Sequence, residues 1–531
     1  MRQLVQLTVP VAAEAAVSFR LNGLDVAVTS RGTLLEALRD DLGCRDVKDG
    51  CAPQGQCGCC TVLVDGQPRV ACVTPVTRVA GRDVTTLEGL DPDVRDALVG
   101  AFDATAASQC GFCTPGIVVR LAALRRRPVI DETSVRTALG AHLCRCTGFQ
   151  PIVEAALGAL CGAPLPAPRD PAASTARATL ECGSRQVAGP DVVRGLAPFA
   201  DDTAPSNAAV ALGSAVTGYD VATSWPAARR ASKGRQGRNS TVALRHPVAL
   251  PDGDFALALQ TTWVEPAYLE PDASWCAPDA AAASPAANAG DFGAKRRSAV
   301  AEDAAGLASA RGEVVRARWT REAVVLRGEK RPPLALGLRA DGTGVVRLGW
   351  TPGSPSVEGL CDAVRSLRAG LEVEVVELVG PRVGTTHRGA AIAEVLAALA
   401  VLRADGDGRC SVRTPNGARA SVALRDGALR VVVDAGDPLC RATTRSFAIG
   451  AVHQGYSMVT TEGIAVDDGG TPLDLTIRSF GVTTARLFPH VDVEVVDATS
   501  PPLAVGTAVF AAALASVWLA EGAGPTWPTR R

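Results

Sequence analysis

Residues 17–28 (V-S-F-R-L-N-G-L-D-V-A-V) alternate apolar and polar positions on either side of Asn22-Gly23. That pair tolerates the positive φ values of a tight turn, so the pattern predicts a hairpin. Thr33 then caps a helix L-L-E-A-L-R-D-D-L, with Glu36 three residues on as the partner in a capping box. After a cysteine-rich loop, T-V-L-V, the turn Asp65-Gly66 and R-V-A-C-V predict a second hairpin that delivers Cys72. Strands around one helix and a loop predict a small β-grasp domain over 17–90. From 91 to 162 the period changes to that of helices. D-V-R-D-A-L-V-G-A-F, G-I-V-V-R-L-A-A-L, V-R-T-A-L-G-A-H-L and P-I-V-E-A-A-L-G-A-L predict a four-helix domain.

Residues 163–185 open with A-P-L-P-A-P-R-D-P and predict a Pro/Ala linker. Residues 186–531 mix strand and helix, enough for two or more α+β units, so the fold class is multidomain α+β. No internal repeat is visible, and the Ala-rich stretch 277–289 predicts a surface loop. The apolar run Ala504–Ala520 falls short of the roughly 20 residues of a membrane span and lacks a basic flank, which predicts a buried helix and no membrane.

Cysteines change this picture. Eight fall in two unlike groups: Cys51, Cys57, Cys60 and Cys72, then Cys110, Cys113, Cys144 and Cys146. Structural zinc favours two Cys-x-x-Cys knuckles, whereas Cys-x5-Cys-x2-Cys with a distant fourth lies one residue from the plant-type ferredoxin run. Gly50, Gly55 and Gly58 let the loop fold over an inorganic core. Thr114-Pro115-Gly116 and Thr147-Gly148 place both halves of the second group before helix N-termini, whose positive ends suit an anionic cluster. The spacing therefore favours two [2Fe–2S] clusters over zinc. Paired histidines for a Rieske centre are missing, since the five lie scattered at 142, 246, 387, 453 and 490. The other eight cysteines (44, 59, 161, 182, 276, 361, 410, 440) are expected as small buried hydrophobes.

Composition adds exclusions. A formal charge of −1 gives no field for nucleic acid or an anionic membrane. The basic stretch Arg229–Arg238 lacks interleaved aromatics and predicts a solvated loop. Sixteen cysteines in 531 residues are too sparse for a disulfide scaffold, and cluster thiols imply a reducing compartment. The first residues make a poor secretion signal, so a cytoplasmic location is expected.

G-C-x-x-x-G-x-C-G-x-C-T-V from Gly50, Q-C-G-F-C-T-P-G from Gln109 and L-C-R-C-T-G-F from Leu143 resemble the iron–sulfur portion of the xanthine dehydrogenase and aldehyde oxidase family of molybdenum hydroxylases. The resemblance implies that the helical-domain cluster lies beside molybdopterin, that Gln109 bonds the pterin, and that the N-terminal cluster serves a flavin. The family's four-residue gap is five here, which leaves Cys59 as an alternative ligand. Residues 186–531 resemble a shortened molybdopterin-binding region in ordered pieces: Glu265–Pro271, Gly290–Lys295, Arg321–Pro332, His387–Ala390 and Ala448–Gly455. By resemblance Gly290, Phe292, Gly293, Arg388 and Gln454 would contact the cofactor. Gly290–Lys295 could equally be a turn before a helix, Gln454 a core amide, and Arg388 a partner of Glu394.

The departures are as informative. A segment between the first two pieces is missing, Arg296 replaces an acidic residue, and Thr507 stands where the family has its catalytic glutamate. A hydroxyl has no accessible pKa for a general base, so the catalytic residue is unassigned. The leading expectation is an oxidoreductase that relays electrons from a molybdopterin site through two [2Fe–2S] clusters. FAD would sit only on a partner subunit, and the substrate would be a small N-heterocycle or aldehyde. The alternative is a non-catalytic electron-transfer subunit that serves a separate molybdenum subunit.

Overall fold

The computed structural model describes residues 16–531 except 30, 31, 52, 215–217, 233–236 and 238. The opening residues, on which the expected lack of a secretion signal rests, lie outside the described residues. β1 (Val17–Leu21) and β2 (Leu24–Val28) pair antiparallel, with Asn22 and Gly23 at φ of 52° and 84° in the turn. Thr33 caps α1 (Leu34–Glu36), and its amide donates back to the Glu36 carboxylate at 2.8 Å. The helix is shorter than its pattern predicts because it widens after one turn into a π-helical stretch, Ala37–Asp41. β3 (Thr61–Val64) and β4 (Gln67–Val70) form the second hairpin, and a 3-10 turn at Ala71–Val73 returns Cys72 to Cys60. β5 (Asp83–Thr85) slots between β1 and β3, giving the sheet order β2-β1-β5-β3-β4.

The four expected helices are α2 (Pro92–Ala104), α3 (Thr114–Ala122), α4 (Glu132–Leu139) and α5 (Gln150–Cys161). Asp91 and Asp131 cap α2 and α4. The expected linker over 163–185 needs correction. The chain is irregular only to Asp170, whose carboxylate accepts from the Ala172 and Ala173 amides and starts α6 (Pro171–Cys182). Proline at the first helical position lacks only an N–H that would be orphaned anyway, and alanine is the best helix former. Buried Ser174, Arg177 and Cys182 seat α6 in the core, so composition alone misreads the segment.

Beyond α6, three further sheets of four, five and four strands occur among the described residues. Two long helices, Arg441–Thr460 and Gly506–Ala520, pack on each other in the C-terminal core. Ala508 to Trp518 are buried without a break, as expected of a core helix, and no described helix is long and apolar enough to cross a membrane. The basic stretch differs from expectation at Arg229. It lies in the helix Trp225–Ala231 and pairs with Glu36 at 2.6 Å and Asp49 at 2.8 Å, tying the C-terminal region to α1 and to the loop that leads into Cys51. Of the eight remaining cysteines, Cys161 is exposed and Cys44 and Cys440 are half-buried; the other five are buried as expected. One apolar core runs from Phe19 through both cysteine groups to Ala485.

Candidate iron–sulfur centres and the cavity beside them

Cys51, Cys57, Cys60 and Cys72 are each at most 2% exposed. Cys51 faces Cys57 and Cys72, and Cys72 faces Cys60, so the four thiols ring one space. Hydrogen bonds from Cys57 and Cys72 hold the Cys51 thiol well below its ordinary value. Gln54 and Gln56 amides also donate to its sulfur at 3.4 and 3.5 Å. Gly55 and Gly58, at φ of 69° and 77°, make the loop's sharp bends. Cys59 touches Cys57 at the edge of this ring, with burial and neighbouring thiols raising its pKa.

The second group forms two pairs: Cys110 with Cys146 at 3.6 Å, and Cys113 with Cys144. Its four cysteines are buried, and Cys144 is lowered to about 6, first by the hydrogen bond from Cys113. Two thiol pairs suit two bridged irons, each taking two thiolates. A tetrahedral zinc would need ligands round one point. The paired, buried, thiolate-rich geometry fits a two-iron cluster.

The two groups share a wall. Leu143, next to Cys144, donates its amide to the Cys57 carbonyl at 3.0 Å. His142 lies 3.2 Å from the Thr61 hydroxyl and is lowered to about 4 by burial, so its ring is neutral at pH 7. A Cβ on Gly58 would fall 2.5 Å from that ring, and one on Gly116 would meet the Gly58 and Cys59 carbonyls at 2.4 and 2.7 Å. Only bare backbone allows such an approach.

C-terminal motif residues brace the second group rather than enclosing an open cofactor cleft. A Cβ on Gly290 would lie 2.7 Å from the Cys146 sulfur, while Asn288 donates to the Cys110 carbonyl at 2.8 Å. Ala448–Gly455, one of the pieces that carry the resemblance, lies inside the helix Arg441–Thr460. There Gln454 donates to the Arg145 carbonyl at 2.9 Å, and Gly450 passes so near the Cys146 carbonyl that a Cβ would sit 1.6 Å from it. Gln109 donates to Ser446 at 2.9 Å and keeps its Oε1 buried without a partner.

The other motif pieces hold one another. Lys295 donates to Glu270 at 2.7 Å, and Lys330 lies 2.9 Å from Glu265. Burial pushes Glu270 up to about 8 against the pull of Lys295. Of the two readings of Arg388, pairing with Glu394 does not occur: Glu394 accepts from Nε and Nη2 of Arg331, while Arg388 stacks on Phe292 at 3.9 Å. Phe292, Arg296, Arg388, Gly389 and Thr507 line a cavity of about 220 Å3. Gln109, Gly290 and Gln454 do not line it.

Two groups escaped the sequence reading. Arg145, between Cys144 and Cys146, makes a buried two-bond pair with Glu462, 2.8 Å on one arm. A cation between two ligating thiols was a readable signal; its carboxylate, 317 residues away, was not. Glu181 is the other: it forms one wall of the cavity, from a segment whose composition suggested no structure.

Comparison with known proteins agrees with the cysteine geometry. Residues 86–157 match the [2Fe-2S] binding domain family. Over 135 residues the chain is 42% identical to the nicotine 6-hydroxylase small subunit of Paenarthrobacter nicotinovorans, covering 25% of this chain and 81% of that protein. Over 215 residues it is 34% identical to xanthine dehydrogenase of Blastobotrys adeninivorans, covering 37% of this chain and 14% of that one. The crystal structure of aldehyde oxidoreductase from Desulfovibrio desulfuricans superposes with a TM-score of 0.69 at 15% identity, across 97% of this chain and 99% of that one. At that identity the last match speaks for the fold alone. The chain belongs to the molybdenum hydroxylase family, among whose iron–sulfur small subunits it has close sequence relatives.

Proposed function

We propose that this chain is a one-electron relay of a molybdenum hydroxylase complex. Cys110, Cys113, Cys144 and Cys146 hold one [2Fe–2S] cluster and Cys51, Cys57, Cys60 and Cys72 the other. A cluster held in this way supplies reversible one-electron chemistry. The observation that carries the reading is the hydrogen bond from Leu143 N–H to the Cys57 carbonyl, which links the backbone of one ligand loop to that of the other at 3.0 Å. His142, neutral and buried, excludes water from the same wall without adding charge between the groups. Helices α3 and α5 begin just beyond the second group, so their N-terminal amides offset its negative charge.

Residues 17–90 then form a β-grasp ferredoxin-type domain, 91–162 a helical [2Fe–2S] domain, and 186–531 a reduced molybdopterin-binding-like region. The first cluster faces an acceptor, an FAD-binding partner subunit, and the second faces a molybdenum centre that oxidises a small N-heterocycle or aldehyde. The small-subunit name of the nicotinovorans relative supports partner subunits. Free thiols throughout, with no disulfide among the described residues, support a cytoplasmic setting.

A second reading, that this chain also holds the molybdenum cofactor, is favoured by the motif order and by the unpaired Gln109 Oε1. Iron and acid-labile sulfide assayed on anaerobically purified protein test the relay reading. About four of each per chain is expected for two clusters, and two or fewer of each would remove the two-cluster relay.

A further inference from the structure

Helix α6 crosses to the N-terminus of the helix Gly506–Ala520, where the family resemblance puts the catalytic glutamate. Its residue Glu181 has a side chain only 1% exposed. One carboxylate oxygen accepts from the Val505 amide at 3.0 Å and the other from the Gly506 amide at 2.9 Å. Arg177, one turn earlier on α6 and buried, donates to the same carboxylate. Val505 offers no side-chain cap of its own, so Glu181 is the cap of this 15-residue helix. Two of the amides at this positive helix end, those of Val505 and Gly506, are therefore already taken by a carboxylate of the chain itself.

Other contacts narrow the rest of the cavity, although Arg388 keeps Nη1 buried without a partner. Gly506 has no Cβ, and one would stand 3.2 Å from the Glu181 oxygen, so glycine here admits the carboxylate. Thr507 packs its methyl against Gly389, where a Cβ would be 2.6 Å away. Arg388 lies flat on Phe292. What remains is about 220 Å3, below the roughly 300–1,000 Å3 of pockets that enclose drug-sized ligands. A pterin dinucleotide does not fit these residues.

We infer that Glu181 closes the position that a molybdenum cofactor would need, so that residues 186–531 serve as a docking and bracing scaffold without a pterin of their own. The inference deepens the relay reading: the molybdenum centre then belongs to another subunit. It is tested on the full chain, expressed in a host shown to load a molybdenum hydroxylase produced in parallel. Pterin is assayed as its oxidised fluorescent derivative beside iron. Pterin below about one-twentieth of the chain, against about four iron, is expected; near-stoichiometric pterin overturns the inference. Chain lacking both iron and pterin would count against the relay reading while leaving Glu181 as the closing group. A second measurement targets the carboxylate. Glu181→Gln keeps its shape but leaves Arg177 without a charge partner, and a fall in unfolding midpoint of roughly 3 °C or more is expected. An unchanged midpoint would show that Glu181 does not close the site.

Discussion

The cysteine-bearing third and the C-terminal two-thirds use ionisable side chains in opposite ways. In the first, thiols crowd against thiols: Cys110 on Cys146, Cys113 on Cys144, Cys51 on Cys57 and Cys72. Such crowding leaves protons nowhere favourable to go and resolves when metal replaces them. In the second, three motif cations meet carboxylates, Lys295 with Glu270, Lys330 with Glu265 and Arg331 with Glu394, while Arg321 donates to backbone carbonyls and Arg296 and Arg388 line the cavity. Charges already neutralised by the chain itself are poorly placed to receive an anionic cofactor. On the proposed reading, the contrast separates a region that takes up a group from one that holds its neighbour in place.

The contrast breaks most visibly at the cysteines. Cys144→Ser should remove one cluster, lowering iron from about four to about two per chain and erasing one paramagnetic signal while the other persists. Loss of both signals would mean that the groups are not separate centres. Next in size is the Lys295–Glu270 pair. Lys295→Met leaves the buried Glu270 carboxyl, already pushed up to about 8, protonated and without its partner, and should cost about 1–3 kcal/mol in chemical denaturation, with both signals retained in the folded fraction. The double change Lys295→Met/Glu270→Met should recover most of that loss, and failure to recover would assign the pair a role beyond mutual neutralisation.

Comparable in size is a pH effect. Burial lowers His453 to about 4, below an unfolded value near 6.5. The unfolded chain therefore binds the extra proton first. Stability from this group is full above pH 6.5 and is lost as pH falls toward 4, by about 3 kcal/mol. His142 acts in the same direction. His453→Gln, compared with the parent across pH 7 to 4, should flatten the slope by roughly that share; parallel curves would contradict it.

Much of the first third was legible because its signals are short-range. Asn22-Gly23 and the Thr33–Glu36 box each act within a few residues, and each occurs as expected. The length of α1 was not legible, since the π-helical widening at Ala37–Asp41 leaves the periodicity of the pattern intact. Elsewhere the sequence showed which residues matter but not what they touch. Gln454 and Gly450 sit in a motif singled out for cofactor contact, yet they brace Arg145 and Cys146 from a helix about 300 residues downstream. α6 stayed hidden because alanine and proline suit linkers and helix starts alike, and only Asp170 marked the cap. Glu181 acquires its role from two amides more than 320 residues away, a pairing no local pattern encodes.

The relay claim rests on two centres close enough to exchange electrons through the wall shared by Cys57 and Leu143. Low-temperature electron paramagnetic resonance on the dithionite-reduced full chain tests it directly. The expected spectrum holds two distinct ferredoxin-type signals, each near one spin per chain, that broaden one another as both become reduced. A single signal, or two that stay unaffected by each other's reduction, would contradict the relay.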